Sequence, residues 1–536
     1  MNRKNIYILL ALLPLIFVGC ADLDTLPEDD IVTGSQKEDV VENDPSKAAA
    51  GVNAIFSQFS QYMPNYSALG RSRHNDFGYP SLMLFTDANG NDVVSSDNGY
   101  NWTGNNLDYT DRSVTSYECQ IIWNNMYSSI YTANNLIGSI SPDVEDATLQ
   151  YNLAQGLAIR AFDYWILAQL YQFNYVGNQS KPCVPIITDV NAEEVAIAGG
   201  APRSTVEEVY ALIKSDIDKA VELLESAAKG GVTRADKRYI DLSVAYGIRA
   251  RIKLTMQEWG AAAADAKLAI DNSSSAPANF EDINNPSFWS INETNWMWGI
   301  VVSESDDVVT SGIVNWISHM GSLNYGYANY SGGKQINKSL FNTIPDTDAR
   351  KGWWLNADTV SANLNTEQAA TAERYGCVPY TQMKFAPYKD VVRTSINSND
   401  LPLMRIEEMY LIKAEAEAMS GGDGKSTLEN FVKTYRDPAY VCAASSPETI
   451  QEEVFRQRRI ELWGEGLNWF DIMRLNKAVD RRGGGYPNAT MVFNIPAGDD
   501  LLLWPIPEKE ILANPTLNVG DNNPTAPTPQ PVPDID

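Results

Sequence analysis

A mainly α-helical body of stacked helix pairs, broken by two long aromatic loop regions, is the fold this sequence predicts. Three observations lead there. Apolar residues recur every three or four positions through several long runs, as a helix face requires. One run, 147–173, is apolar on two faces: Leu149, Leu153, Leu157, Ala161, Tyr164, Ala168 and Tyr171 on one, Ile159, Phe162 and Ile166 on the other, so it belongs inside a stack. Between such runs, residues 62–112 and 272–400 lose the helical period and fill with Gly, Asn, Ser, Asp and large rings. At 536 residues, with 44% hydrophobic and 20% charged residues, the chain is long enough for a large core.

Taken in order, residues 1–19 hold a basic start at Arg3 and Lys4 and an apolar stretch, Ile6 to Val18, too short to span a bilayer. Phe17-Val18-Gly19-Cys20 resembles a bacterial lipobox, which implies a signal peptide over 1–19 and a lipid on Cys20. Residues 20–44 are polar and acidic and read as a tether. Helices are expected from Pro45 onward, with a pair at 117–139 and 147–173 joined by a turn at Ser141-Pro142-Asp143. Ser204 or Thr205, with Glu207 or Glu208 three residues on, forms a capping box for the next helix. Residues 240–271 carry Ala250, Ala262 and Ala269 at a spacing that resembles the tetratricopeptide repeat, where small residues let two helices approach closely; an alanine-rich helix pair is the plainer alternative. Helices return at 403–420 and 446–478, and the proline-rich tail 521–536 is expected to be disordered.

Residues 446–475 form a corner. Ser446 is a good N-cap, Pro447 suits the first helical position, and Gly464 and Gly466 supply the turn before a second helix over "LNWFDIMRL". Arg458 with Glu461, and Asp471 with Arg474, are three apart and placed to pair among Ile460, Trp463, Trp469 and Phe470. Arg458, Arg459, Glu461, Glu465, Gly466, Trp469, Phe470, Asp471 and Arg474 resemble the C-terminal signature of the SusD/RagB family, with Gln457 and Asn468 as departures that thin the ion network. "LPLMRIEEMYLIKAEAEA" at 401–418, "LLLWPIPEKEILANPTLN" at 501–518 and "GLAIRAFDYWILAQLYQ" in the 147–173 helix resemble the same family. The resemblance implies one SusD-like body over 45–520, glycan binding at the bacterial surface and a SusC-like TonB-dependent outer-membrane transporter as partner. It also implies attachment to the outer membrane through Cys20, and the acidic run Asp22 to Asp30 resembles leaders that send such lipoproteins to the cell surface.

The net charge of -27 makes nucleic acid and anionic membrane surfaces poor partners. The scattered Cys119, Cys183, Cys377 and Cys442 read as isolated buried thiols, and with His74 and His319 far apart no zinc site is expected. Asp87, Asn89 and Asn91 resemble the opening of a calcium loop, but Asp92 and Asn98 replace its Gly and Glu, so a solvated turn is expected and no metal or cofactor. Rings set among amides and carboxylates on loops suit sugars, whose C–H face stacks on an aromatic ring while hydroxyls meet polar groups. On that ground Asn101 and Trp102 are the first candidates for ligand binding, followed by Trp296, Trp298, Trp316, Tyr325 and Tyr327; a place in the core is the alternative for each, since large rings are usually buried. No nucleophile motif is present, and Glu407, Glu408, Glu461, Glu465 and Asp471 lie beside arginines on helices, so no catalytic residue is assigned. The expectation is a non-catalytic glycan-binding protein, with a helical protein-binding adaptor and a glycoside hydrolase as alternatives.

Overall fold

The computed structural model describes residues 40–41, 43–96, 103–523 and 528–535, apart from the Ser331 side chain. The leader, Cys20, the tether up to residue 39, and both Asn101 and Trp102 lie outside the described residues.

Eleven of its helices carry the argument: α1 (Ser46–Ser57), α2 (Tyr79–Asn89), α3 (Tyr117–Ile137), α4 (Ala147–Tyr171), α5 (Val206–Lys229), α6 (Leu242–Thr255), α7 (Trp259–Asn272), α8 (Ile406–Met419), α9 (Gly424–Tyr435), α10 (Pro447–Glu461) and α11 (Asn468–Arg474). Each of α3 to α8 packs on the next in sequence, and α8 then takes α9 and α10, so the body is a stack of neighbouring helices. The expected starts hold: Ser116, Asp146 and Thr205 accept hydrogen bonds from the first free amides of α3, α4 and α5, and Thr205 with Glu208 closes a capping box. In α4 every residue from Asn152 to Tyr171 is buried, as its two apolar faces require. Ala250, Ala262 and Ala269 are fully buried where α6 meets α7, the close approach that their size permits.

Two antiparallel ladders tie the loop regions together, and neither was legible locally. β1 (Val93–Val94) pairs with β3 (Gln335–Ile336), joining the first loop region to the second. β2 (Trp296–Ile300) pairs with β4 (Leu401–Arg405), which runs straight into α8. A third ladder, β5 (Val479–Asp480) with β6 (Asn494–Ile495), lies beyond α11. One hydrophobic cluster extends from Val41 to Leu517, with smaller clusters beside it. The proline-rich tail, expected to be disordered, touches this body: Val532 N donates to the Val492 carbonyl at 3.0 Å and Asp534 accepts from Gly483 N.

At the corner, Ser446 caps α10 with Pro447 in its first turn, and Gly464 and Gly466 adopt φ of 75° and 73°. Arg458 and Glu461, expected to pair, turn to other partners. Glu461 meets Arg436 at 2.7 Å, and Arg405 and Arg350 at 3.1 Å each, three cations delivered from elsewhere in the chain. Arg458 holds Asp471 at 2.6 Å, Asp471 holds Arg474 at 2.8 Å as expected, and Arg474 reaches Glu415 at 2.6 Å. Gln457 still serves the network, since its carbonyl accepts from Arg350 at 2.6 Å. The stretch that resembles a calcium loop is the buried end of α2, where Asp87 accepts from Gly466 N at 2.9 Å, and no cluster of His, Cys, Asp or Glu suited to a metal occurs among the described residues.

Candidate functional site

The loop regions meet on one face, and its geometry starts at Lys334. This side chain is buried just before β3, and its ammonium donates to Ser95 Oγ at 3.1 Å and to Thr103 Oγ1 at 3.2 Å. Ser95 and Thr103 stand on either side of residues 97–102 in the sequence, the stretch that carries Asn101 and Trp102. On the other side of Lys334 runs a single 3-10 turn, Tyr327–Ser331, with Tyr330 47% exposed and, just before it, Tyr325 45% exposed. Tyr325 N donates to the Thr394 carbonyl at 2.8 Å, and Val378 N to the Gly332 carbonyl at 3.3 Å, which brings the exposed Val378, Val391 and Ile396 around the tyrosines. Apolar side chains left in water beside exposed rings mark a surface that is covered in use.

The neighbouring backbone is strained. Lys389, Asp390 and Arg393 have φ of 54°, 59° and 63°, which non-glycine residues rarely adopt, and such strain concentrates at ligand sites. Two imidazoles pack against the buried Tyr327. Tyr327 is 7% exposed, its hydroxyl hydrogen-bonds His74, and its ring lies 5.1 Å from that of His319. Burial pushes His319 down to about 3, with the Lys334 charge adding to the effect, and burial together with Arg73 lowers His74, so both rings are neutral at physiological pH.

The sequence candidates divide sharply. Tyr325 lies exposed on this face, and Tyr327 is buried against His74 and His319. Trp296 and Trp298 are fully buried in β2, where Trp298 packs on Phe59 and Phe162 and donates to the Arg238 carbonyl at 3.0 Å; they are core residues, not ligand platforms. Trp316 opens a short helix and sits edge-on to Phe385 at 4.8 Å, also buried. Tyr330 is one ring among many in its loop, and no local signal in the sequence separates it from the buried Tyr327 three residues earlier. Among the described residues the free thiols are Cys119, Cys183 and Cys442, all buried, and Cys377, which is half-buried.

A stacked-helix body with an aromatic face assembled from two loop regions defines a class of helical-repeat proteins with one loop-built surface, and similarity to known proteins narrows it. The profile described as the SusD family matches residues 316–525, and one described as starch-binding, associating with outer membrane, matches residues 73–254. The chain belongs to the SusD/RagB family. It is 26% identical to SusD-like protein P38 of Formosa agariphila over 449 residues, 77% of this chain and 80% of that one, and 25% identical to SusD-like protein P2 of the same organism over 442 residues, 75% and 79% respectively. Its fold matches that of a SusD-like carbohydrate binding protein from Bacteroides vulgatus with a TM-score of 0.71 at 23% identity, covering 89% of this chain and 97% of that one. A SusD superfamily protein from Bacteroides thetaiotaomicron matches at a TM-score of 0.67 and 22% identity, over 89% and 99% of the two chains.

Proposed function

We propose that the protein is a non-catalytic, lipid-anchored glycan receptor of the outer membrane that delivers captured oligosaccharide to a SusC-like TonB-dependent transporter. The observation that carries the reading is the meeting of exposed Tyr325 and Tyr330 with Ser95 and Thr103, which stand on either side of residues 97–102 in the sequence, in a chain of the SusD/RagB family. Exposed rings free to stack suit an uncharged polyol, and Asn101 and Trp102 are assigned to the same site. Against hydrolysis, the carboxylates Glu461, Glu465 and Asp471 are each engaged by buried cations, which leaves them no proton to trade across a glycosidic bond. Incubation with a panel of glycans tests this: binding with no cleavage is expected, cleavage turns the protein into a hydrolase, and neither leaves the protein-binding adaptor. Anchoring rests on Cys20. Stable attachment needs more than one acyl chain, which a fully lipidated Cys20 supplies. Cys20→Ser is expected to leave the membrane fraction, and its pelleting with outer membrane in the absence of the transporter would show the anchor to be elsewhere.

A further inference from the structure

Away from the loop face, α3 carries an aromatic stripe of its own. Trp123, Tyr127 and Tyr131 follow at four-residue spacing, hence on one face and about 6 Å apart along the helix. Trp123 and Tyr127 are in ring contact at 4.6 Å, and Tyr131 stands 68% exposed. Two adjoining cavities, ≈ 360 Å³ and ≈ 510 Å³, lie on either side of Tyr131 between α3 and the segments around Pro185–Ile187 and Glu510–Asn514. Polar groups line both: Asn134 and the half-buried Asp189 in the first, Glu510, Asn514 and Thr132 in the second. Asp189 is held by Arg160 at 2.6 Å, and Glu510 accepts from Trp123 Nε1 at 3.3 Å, so the acids are fixed in place.

The second cavity shares Gln58 and Ser128 with a third, a pit of ≈ 180 Å³ that Asn65, Asn125 and Ser129 also line. Gln58 donates to Thr132 Oγ1 at 2.5 Å and Ser129 hydrogen-bonds the buried Asp163, so both side chains are held in place at its wall. The pit is also uncharged. Its polar lining, Gln58, Asn65, Asn125, Ser128 and Ser129, is amides and hydroxyls with no ionisable acid or base.

We infer that this groove along α3, with the polar pit at its end, is a second saccharide site, separate from the loop face. The occupant is a neutral sugar chain: the exposed Tyr131 ring, with half-buried Tyr127 beside it, suits a C–H face, amides and fixed acids suit its hydroxyls, and the neutral pit takes a terminal unit. An apolar peptide would leave the amides and hydroxyls of the groove and pit unanswered, and an anion would meet the acids of the rim. The inference rests on the reading of the protein as a glycan receptor.

The test uses the full mature chain, titrated by calorimetry with maltoheptaose, cellohexaose, laminarihexaose and xylohexaose. Three proteins are compared: wild type, Tyr131→Ala and the double variant Tyr325→Ala/Tyr330→Ala. Tyr131 is exposed, so its removal leaves the fold intact. For the oligosaccharide that binds, about two chains per protein are expected in wild type and about one in Tyr131→Ala. If Tyr131→Ala matches wild type while the double variant loses all binding, the groove is not a sugar site and the receptor reading stands. If the double variant matches wild type and Tyr131→Ala loses all binding, the groove stands and the loop face falls. Absence of binding to every probe in wild type, extended to a wider glycan panel, would overturn both.

Discussion

The charged corner around Glu461 and the aromatic face around Tyr330 are both assembled from residues far apart in sequence, yet they are built on opposite terms. At the corner every charge is buried against an opposite one: Glu461 with Arg436, Arg405 and Arg350, Glu465 with Arg405 and Lys384, Asp471 with Arg458 and Arg474. Burial opposes the charge of Glu461, but the three guanidiniums outweigh it and hold the carboxyl well below its usual range. At the face, rings and valines stay in water, backbone strain is tolerated, and the buried histidines are neutral. Stability is concentrated in the first region and surface for a ligand in the second, so the two should respond to different perturbations.

The largest separation is expected from Glu461→Ala. Removing one carboxylate leaves three buried guanidiniums competing for fewer acceptors, and breaking a buried pair costs about 3–5 kcal/mol. Denaturant unfolding is expected to show a loss of that size, with glycan affinity of the folded fraction unchanged. A loss below about 0.5 kcal/mol, the range of an exposed pair, would mean that the network is not load-sharing.

Acid separates the regions next. His319 is lowered from 6.5 to about 3, so below pH 6.5 the unfolded chain takes up a proton that the folded one refuses. Stability from this group is therefore complete above pH 6.5 and is lost as pH falls toward about 3, at up to about 1.4 kcal/mol per pH unit. Glu461, held below its usual 4.5, contributes stability above that value and loses it only at lower pH, so its carboxyl is silent between pH 6.5 and 4.5. The carboxyls of Asp76, Asp111 and Asp400, raised by burial to about 6, and of Asp87 beside Gly466, raised to about 8, act with the opposite sign, and comparison of a single His319 variant with wild type cancels them. His319→Gln should lose stability less steeply than wild type over this window in unfolding at a series of pH values; parallel curves would place the acid response elsewhere.

The corner and the helix stack were legible in the sequence because their signals are local. Caps such as Thr205, the alternating faces of α4 and the glycines at 464 and 466 act within a few residues. The partners of Glu461 were not, since Arg350, Arg405 and Arg436 arrive through contacts that spacing on one helix cannot show. The same reason misplaced Trp296 and Trp298. Their surroundings read as loop, but pairing with Leu401–Arg405, about a hundred residues on, turns them into a buried strand. Tyr325 and Tyr327 have almost the same neighbours in sequence; the strained segment at 389–394 leaves one in water, and His74 draws the other in.

At the face, Trp102→Ala is expected to weaken glycan binding at least tenfold, about 1.4 kcal/mol, with a melting temperature within about two degrees of wild type. A ring in the core would do the reverse, since its truncation costs about 3–5 kcal/mol of stability. A much lower melting temperature with intact binding would remove Trp102 from the site.

Tyr330 gives the smallest effect and the finest distinction. Nearly half of its surface is in water, so Tyr330→Ala is expected to leave thermal unfolding unchanged while weakening binding by about 0.5–1.5 kcal/mol, the range of a ring contact beyond its buried area. Tyr330→Phe keeps the ring and discards the hydroxyl, and it should bind as wild type does if stacking is the interaction. Tyr327→Ala, three residues earlier and buried against both histidines, should instead lower stability and binding together. If Tyr330→Phe loses as much binding as Tyr330→Ala, the hydroxyl is what the ligand meets, and the face works by hydrogen bonding rather than by stacking.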